Sequence, residues 1–125
     1  MRVLVIGGYG LFGGRLAALL ARQPGLQVLV GGRSLESAQA LASKLQAGSS
    51  ATLEAHAIDA DSPHLAATLK TLRANVVVHT AGPFQGQDYH VALACIDAGA
   101  HYIDLADGRE FVQGIVALNE QASRA

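Results

Sequence analysis

Glycines recur at short spacing near the start of the chain, directly after an apolar run. Gly8, Gly10 and Gly13 fit the pattern G-x-G-x-x-G, while Gly7, Gly10 and Gly13 fit G-x-x-G-x-x-G. Backbone N–H groups at such a turn can approach a pyrophosphate because no Cβ stands in the way. Both registers place Gly10 against phosphate and Gly13 where a helix packs closely on a strand. The spacing indicates a dinucleotide-binding turn, although similar turns also occur without a ligand.

A basic residue stands where dinucleotide-binding domains usually carry an acid. In that fold an Asp or Glu about 20 residues past the glycines accepts hydrogen bonds from the adenosine ribose. Arg33 occupies this place and Ser34 follows it. An arginine cannot accept a hydrogen bond, but its guanidinium pairs with the 2′-phosphate that distinguishes NADP from NAD. Arg33 and Ser34 therefore predict NADP as the cofactor over NAD; the alternative is a solvated surface arginine.

Strands and helices alternate along the whole chain. Val3–Ile6 and Gln27–Gly31 are typical of buried parallel strands. Leu11–Arg22 has helical spacing, with a predicted apolar face of Phe12, Leu16, Leu19 and Leu20. Further strands are predicted at Thr52–Ile58, Ala74–His79 and His101–Asp104, and further helices from Ser34, from Pro63, from about Gln85 to Gly99 and from Asp107 to Ala122. This alternation predicts a Rossmann-like α/β fold, in which five parallel strands lie in the order 3-2-1-4-5 with helices on both faces. Its second half is incomplete because no sixth strand follows.

Composition argues against several classes of function. The chain has 125 residues, half of them hydrophobic, and a net charge of −1. One domain over residues 1–125 is therefore expected, with no electrostatic footprint for nucleic acid. No apolar run approaches the roughly 20 residues of a membrane span. The single cysteine, Cys95, permits no disulfide within the chain, fits a reducing cytoplasm and is predicted to fill core space. No histidine has metal-ligand spacing with another His or Cys.

Four segments occur in order across almost the whole chain: Gly7–Gly13, Val30–Ser34, Ala81–Phe84 and Tyr102–Leu105. As a set they resemble the N-terminal cofactor domain of the saccharopine dehydrogenase family. The resemblance implies binding of NADP or NAD, and a following domain that supplies most of the substrate pocket and the dimer contacts. It therefore implies that this chain is a fragment or a truncated relative. The implied activity is hydride transfer between nicotinamide and an imine, amine or carbonyl substrate.

Two further regions complete the predicted cofactor site. Residues 81–84 follow the fourth strand, near the point where strand order reverses, and are expected on the nicotinamide side. Asp59 ends the third strand and is a candidate to border the adenine, although an acid there is often only a helix cap. The predicted cofactor-binding residues are Gly8, Tyr9, Gly10, Leu11, Phe12, Gly13, Arg33, Ser34, Asp59, Ala81, Gly82, Pro83 and Phe84.

The catalytic group and the substrate stay unassigned at this level. A cluster of His101, Tyr102 and Asp104 on the fifth strand is one candidate to face a substrate, and local hydrogen bonding is the alternative. A non-catalytic NADP-binding module that senses redox state would share every motif. A methyltransferase would instead favour an acid at the end of the second strand. We expect the isolated chain to show no turnover. For the full-length protein we expect a small-molecule substrate, a homodimer and a cytoplasmic location, without nucleic-acid or membrane partners.

Overall fold

The structure is a computed structural model that describes residues 1–7, 9–80 and 90–104. Its elements are β1 (Arg2–Ile6), α1 (Leu11–Leu20), β2 (Gln27–Gly32), α2 (Leu35–Gln46), β3 (Thr52–Ala57), α3 (Leu65–Leu72), β4 (Val76–His79), α4 (His90–Ala98) and β5 (His101–Asp104). The strands form one parallel sheet in the order β3-β2-β1-β4-β5, which confirms the predicted fold. The helix predicted over Asp107–Ala122 lies outside the described residues.

The larger core cluster fills the sheet face that α3 and α4 cover. Leu4 and Ile6, alternate residues of the central strand β1, pack there with Leu65 and Leu69 of α3. Each such side chain contributes about 1.5–3 kcal/mol when fully buried. Cys95 of α4 belongs to the same cluster, and burial raises the pKa of its thiol to about 12. The prediction that Cys95 fills core space is confirmed.

The opposite sheet face packs against α1 and α2 with smaller residues. Ala17 of α1 contacts this core together with Val30 of β2. The predicted apolar face of α1 was wrong in part, because Phe12 and Leu19 are 62% and 59% exposed while Gly13 and Ala17 are buried. At Gly13 helix α1 approaches the sheet so closely that an added Cβ would overlap backbone atoms. The other two predicted residues, Leu16 and Leu20, are partly buried and pack against the core, which confirms that half of the predicted face.

Arg2 joins three other segments at the amino end of the sheet. Its Nη1 atom donates hydrogen bonds to Gln27 Oε1 and Glu54 Oε2, both at 2.9 Å. Its Nε atom donates to the carbonyl oxygen of Leu72 at 2.7 Å. The hydrogen bond from Arg2 outweighs the opposing effect of burial and lowers the pKa of Glu54. We call these four residues the Arg2 clamp.

The turn between β3 and α3 is longer than the sequence suggested. Helix α3 begins at Leu65, with His64 as its N-cap, and not at Pro63. The backbone N–H of Ser62 donates to the carbonyl oxygen of Asp59 at 3.0 Å, and that of Leu65 donates to Ser62 at 3.2 Å. These bonds form successive turns, so Pro63 lies before the helix. The added loop length places acidic side chains at the carboxyl end of the sheet.

Candidate functional site

A cleft of about 630 Å³ opens at the carboxyl ends of the strands. It lies where strand order reverses, because β1 pairs with β2 on one side and β4 on the other. In open α/β sheets ligands bind at this position. The cleft has one wall at the ends of β1 and β2 and another at the ends of β4 and β5.

The first wall contains the glycine turn, by which we mean Gly7, Gly10 and Gly13. Gly7 has a φ of +84°, which other residues rarely adopt, and its carbonyl oxygen accepts the N–H of Gly10 at 2.9 Å. A Cβ on Gly13 would overlap the Gly7 carbonyl oxygen and lie 2.6 Å from Thr80 Oγ1. Thr80 in turn donates to the carbonyl oxygen of Ile6 at 2.7 Å. Gly13 is therefore required by the packing of α1 on the strands.

Gly10 differs from Gly13 because it faces the cleft. It is the N-cap of α1, with an extended backbone that any residue can adopt (φ −76°, ψ 179°). A Cβ there would lie 3.2 Å from the Gly7 carbonyl oxygen, which is a tight contact rather than an overlap. The first turn of α1 contains no acidic residue. Because a helix N-terminus carries partial positive charge, this end of the cleft suits an anion.

Tyr9 and Ser34 meet above the end of β2. The Tyr9 ring lies directly on Gly32, where a Cβ would overlap ring atoms and stand 2.7 Å from the hydroxyl oxygen. The Tyr9 hydroxyl accepts the backbone N–H of Ser34 at 3.0 Å. Ser34 Oγ accepts the N–H of Ser37 at 3.2 Å, so Ser34 is the N-cap of α2, as predicted. The contact between Tyr9 and Ser34 could not be read from sequence spacing.

Arg33 lies on the rim of the cleft between two carboxylates. Its Nη2 atom is 2.9 Å from Asp61 Oδ2, and its Nε atom is 3.8 Å from Asp59 Oδ1. Asp59 Oδ1 also accepts the backbone N–H of Asp61 at 3.0 Å, which anchors the Asp59 side chain. Sequence reasoning missed Asp61. The available signal was that Asp61 follows β3, whose carboxyl end lies beside that of β2 in the predicted strand order.

On the second wall His79 and Tyr102 line the cleft. Together with Asp104, which contacts Tyr102, they form a chain of polar side chains that we call the polar wall. The Tyr102 hydroxyl donates to Asp104 Oδ2 at 2.8 Å and lies 3.4 Å from His79 Nδ1. His79 is only 4% exposed, and burial lowers its pKa against the attraction of Asp104 and Asp61. Burial raises the pKa of Tyr102, and its hydrogen bond to Asp104 adds to the shift. Both shifts favour the uncharged forms, the neutral imidazole of His79 and the protonated phenol of Tyr102.

Two histidines are placed differently from the sequence interpretation. His101 pairs with Val76 at the amino end of β5, so it does not join Tyr102 and Asp104 at the cleft. His90, which sequence reasoning left unassigned, lines the cleft at the start of α4. Its Nε2 atom lies 2.6 Å from the carbonyl oxygen of Ser62. Because a carbonyl only accepts, Nε2 carries the proton in this contact.

The structure brings part of the predicted cofactor site together. Tyr9, Gly10 and Arg33 line the cleft, while Ser34 and Asp59 contact two of these residues directly. Leu11 and Phe12 are exposed on the first turn of α1. Gly8 and residues 81–84 lie outside the described part of the chain.

Two other kinds of feature are absent from the residues that the structure describes. Among them, no group of three or more His, Cys, Asp or Glu side chains could hold a metal ion. Within the same residues, no helix is both long and apolar enough to cross a membrane.

Comparison with known proteins identifies related cofactor domains. The sequence profile of a family described as "Saccharopine dehydrogenase NADP binding domain" matches residues 3–125. This match confirms the prediction of NADP as the cofactor. A comparison with curated protein sequences gave no match.

Solved structures share the fold at low sequence identity. Apo saccharopine dehydrogenase (L-Glu forming) from Saccharomyces cerevisiae is 23% identical, with a TM-score of 0.70 over 91% of this chain and 23% of that chain. UDP-glucose-4-epimerase from Stenotrophomonas maltophila with bound NAD is 20% identical (TM-score 0.65; 83% of this chain, 36% of that one). A short-chain dehydrogenase from Sphingobium yanoikuyae in complex with NADPH is also 20% identical (TM-score 0.59; 82% and 52%). The chain thus spans about a quarter of the yeast enzyme's length.

Proposed function

Because the chain belongs to the family of saccharopine dehydrogenase NADP-binding domains, we propose that it is the cofactor domain of a reductase or dehydrogenase acting on an imine, amine or carbonyl compound. NADP, when bound, supplies or accepts the hydride in such a reaction. The protein's part is to bind the cofactor and to orient it. The substrate pocket, a homodimer interface and a cytoplasmic location are further parts of this proposal for the full-length protein.

Two features of the cleft support binding of a phosphorylated dinucleotide. Gly10 leaves the N-terminus of α1 open for close approach of a pyrophosphate. The observation that carries the proposal is Arg33 on the cleft rim, directly before the Ser34 hydroxyl that caps α2. A guanidinium and a hydroxyl can both donate to a 2′-phosphate. On this basis Arg33 and Ser34 bind the adenosine side, and Asp59 borders it.

The nicotinamide side of the site is proposed at the β4–β5 end of the cleft. Residues 81–84, outside the described part of the chain, are expected to lie beside the nicotinamide half of the cofactor. The polar wall lies at the same end, and its neutral imidazole and protonated phenol can take part in hydrogen bonds to a ligand. We assign no proton-transfer role to these groups.

The test is a comparison of cofactor affinities in a charge-matched pair of variants. Arg33→Ala should weaken NADPH by roughly 10- to 100-fold, since a hydrogen bond to a charged group contributes about 1.5–3 kcal/mol. The affinity for NADH should barely change. Arg22→Ala, which removes the same charge just beyond the other end of α1, serves as the control. Isothermal titration calorimetry gives both constants. A parent protein that prefers NADH, or equal losses for both cofactors, would contradict the proposal.

A further inference from the structure

Arg33 and Ser34 are already engaged by oxygen atoms of the chain itself. The Asp61 carboxylate accepts a hydrogen bond from Arg33 Nη2, and the Tyr9 hydroxyl accepts one from the backbone N–H of Ser34. We propose that Asp61 and Tyr9 compete with the 2′-phosphate of NADP(H) for these donors, and so determine how far the site prefers NADPH over NADH. This inference rests on the proposed function, because it assumes that the 2′-phosphate binds beside Arg33.

The two carboxylates beside Arg33 have different freedom. Asp59 is anchored through the backbone N–H of Asp61, and it approaches only the Nε side of the guanidinium. Asp61 reaches the terminal Nη2 atom, and its side chain is 80% exposed. An exposed ion pair contributes little stability and separates easily. Asp61 can therefore leave the guanidinium fork while Asp59 continues to orient it.

A phosphate is the better partner for the Nη2 donor that Asp61 occupies. A phosphate monoester carries about −1.5 to −2 charges at neutral pH, and it can pair with arginine through two parallel hydrogen bonds. The 2′-hydroxyl of NADH is neutral and has no comparable attraction for the guanidinium. A 2′-phosphate that binds at Nη2 displaces Asp61 from this atom, whereas binding of NADH leaves the pair with Arg33 intact. Competition from Asp61 lowers the affinity for NADPH alone.

Tyr9 occupies a donor of Ser34 in the same way that Asp61 occupies a donor of Arg33. The Ser34 hydroxyl oxygen accepts from Ser37, which leaves its proton available to a phosphate. The Ser34 backbone N–H is a second donor, and the Tyr9 hydroxyl occupies it at 3.0 Å. Because Gly32 presents no side chain, the Tyr9 ring can lie over this turn and cover it. Removing the hydroxyl while keeping the ring releases the N–H without opening the packing.

The experiment measures dissociation constants for NADPH, NADH and adenosine 2′,5′-bisphosphate by calorimetry. Asp61→Asn should tighten NADPH and the bisphosphate by about two- to fivefold, the range expected for an exposed ion pair, and leave NADH unchanged. Tyr9→Phe should act in the same direction with a smaller gain. Asp97→Asn is the matched control, since it removes another largely exposed carboxylate, which lies on α4. It should change nothing.

A double variant separates direct competition from general charge repulsion. The gain from Asp61→Asn should vanish when Arg33 is already alanine, because Asp61 then has no guanidinium to hold. A gain that persists in the double variant, an equal gain for NADH, or no gain at all would overturn the inference while the proposed function stands. If the parent chain binds neither NADPH nor the bisphosphate, both the proposed function and the inference fail.

Discussion

The two walls of the cleft are built in opposite ways. The glycine turn presents backbone, and its geometry depends on atoms that are missing: a Cβ at Gly13 would overlap a carbonyl oxygen. The polar wall presents side chains, joined by hydrogen bonds from His79 through Tyr102 to Asp104. Substituting a larger residue for a glycine therefore disturbs the first wall. Protonation of His79 disturbs the second. The proposed phosphate site is therefore formed by backbone, whereas the opposite side of the cleft is formed by titratable side chains.

The largest expected effect is on cofactor binding at Gly10. Gly10→Val should weaken NADPH at least 100-fold, about 2.7 kcal/mol, because its methyl groups would occupy the approach to the α1 N-terminus. The extended backbone of Gly10 accepts valine, so the domain should stay folded. Calorimetry and circular dichroism test the two statements separately. Parent-like NADPH binding by this variant would rule out phosphate contact at Gly10.

A substitution at Gly13 should differ from one at Gly10, because it should lower the stability of the fold rather than act first on cofactor affinity. Gly13→Ala should lower the free energy of unfolding by about 1–3 kcal/mol, since the added Cβ must displace α1 from the Gly7 carbonyl oxygen. Gly48→Ala is the control, because a Cβ there meets no atom within 4 Å. Urea denaturation measures both variants. If Gly13→Ala is as stable as Gly48→Ala, the close packing of α1 is not required.

The polar wall should respond to pH rather than to added volume. Because burial lowers the pKa of His79 below 6.5, the unfolded chain takes up this proton at a higher pH than the folded one. The free energy of unfolding therefore keeps its full value, as far as His79 is concerned, above pH 6.5. Below that pH it declines by at most about 1.4 kcal/mol per pH unit. Denaturation between pH 7.5 and 5.5 should show this slope. His79→Asn should reduce it, whereas His101→Asn should not. Identical slopes in the parent and His79→Asn would refute the assignment.

Sequence patterns predicted the fold because strand periodicity and turn residues are local properties. The apolar run of β1 and the Ser34 cap follow from short segments. The strand order follows from the alternation of strands and helices along the chain. The buried face of α1 followed only in part: Leu16 and Leu20 pack against the core as predicted, whereas Phe12 and Leu19 are exposed. Gly13 and Ala17 are buried in their place because the helix backbone lies close to the strands. Tertiary packing decided that face.

Of the proposed cofactor site, the sequence indicated the candidate phosphate donors but not the groups that contact them. Arg33 and Ser34 are recognisable because their place after β2 has a chemical meaning. Their partners are not recognisable in this way, since Asp61 and Tyr9 lie 28 and 25 residues from them along the chain. Such contacts depend on the length of the turn after β3 and on the direction of one aromatic ring. Neither quantity is encoded in a local pattern.

The Arg2 clamp has a consequence for the kinetics of folding. Its hydrogen bonds join Arg2 to residues 25, 52 and 70 positions away, so the chain must close long loops before they form. We therefore expect the clamp to assemble late, after the rate-limiting step. Interactions that form late slow the rate of unfolding and leave the rate of folding nearly unchanged. The Arg2 clamp is therefore expected to prolong the lifetime of the folded state without changing how quickly that state is reached.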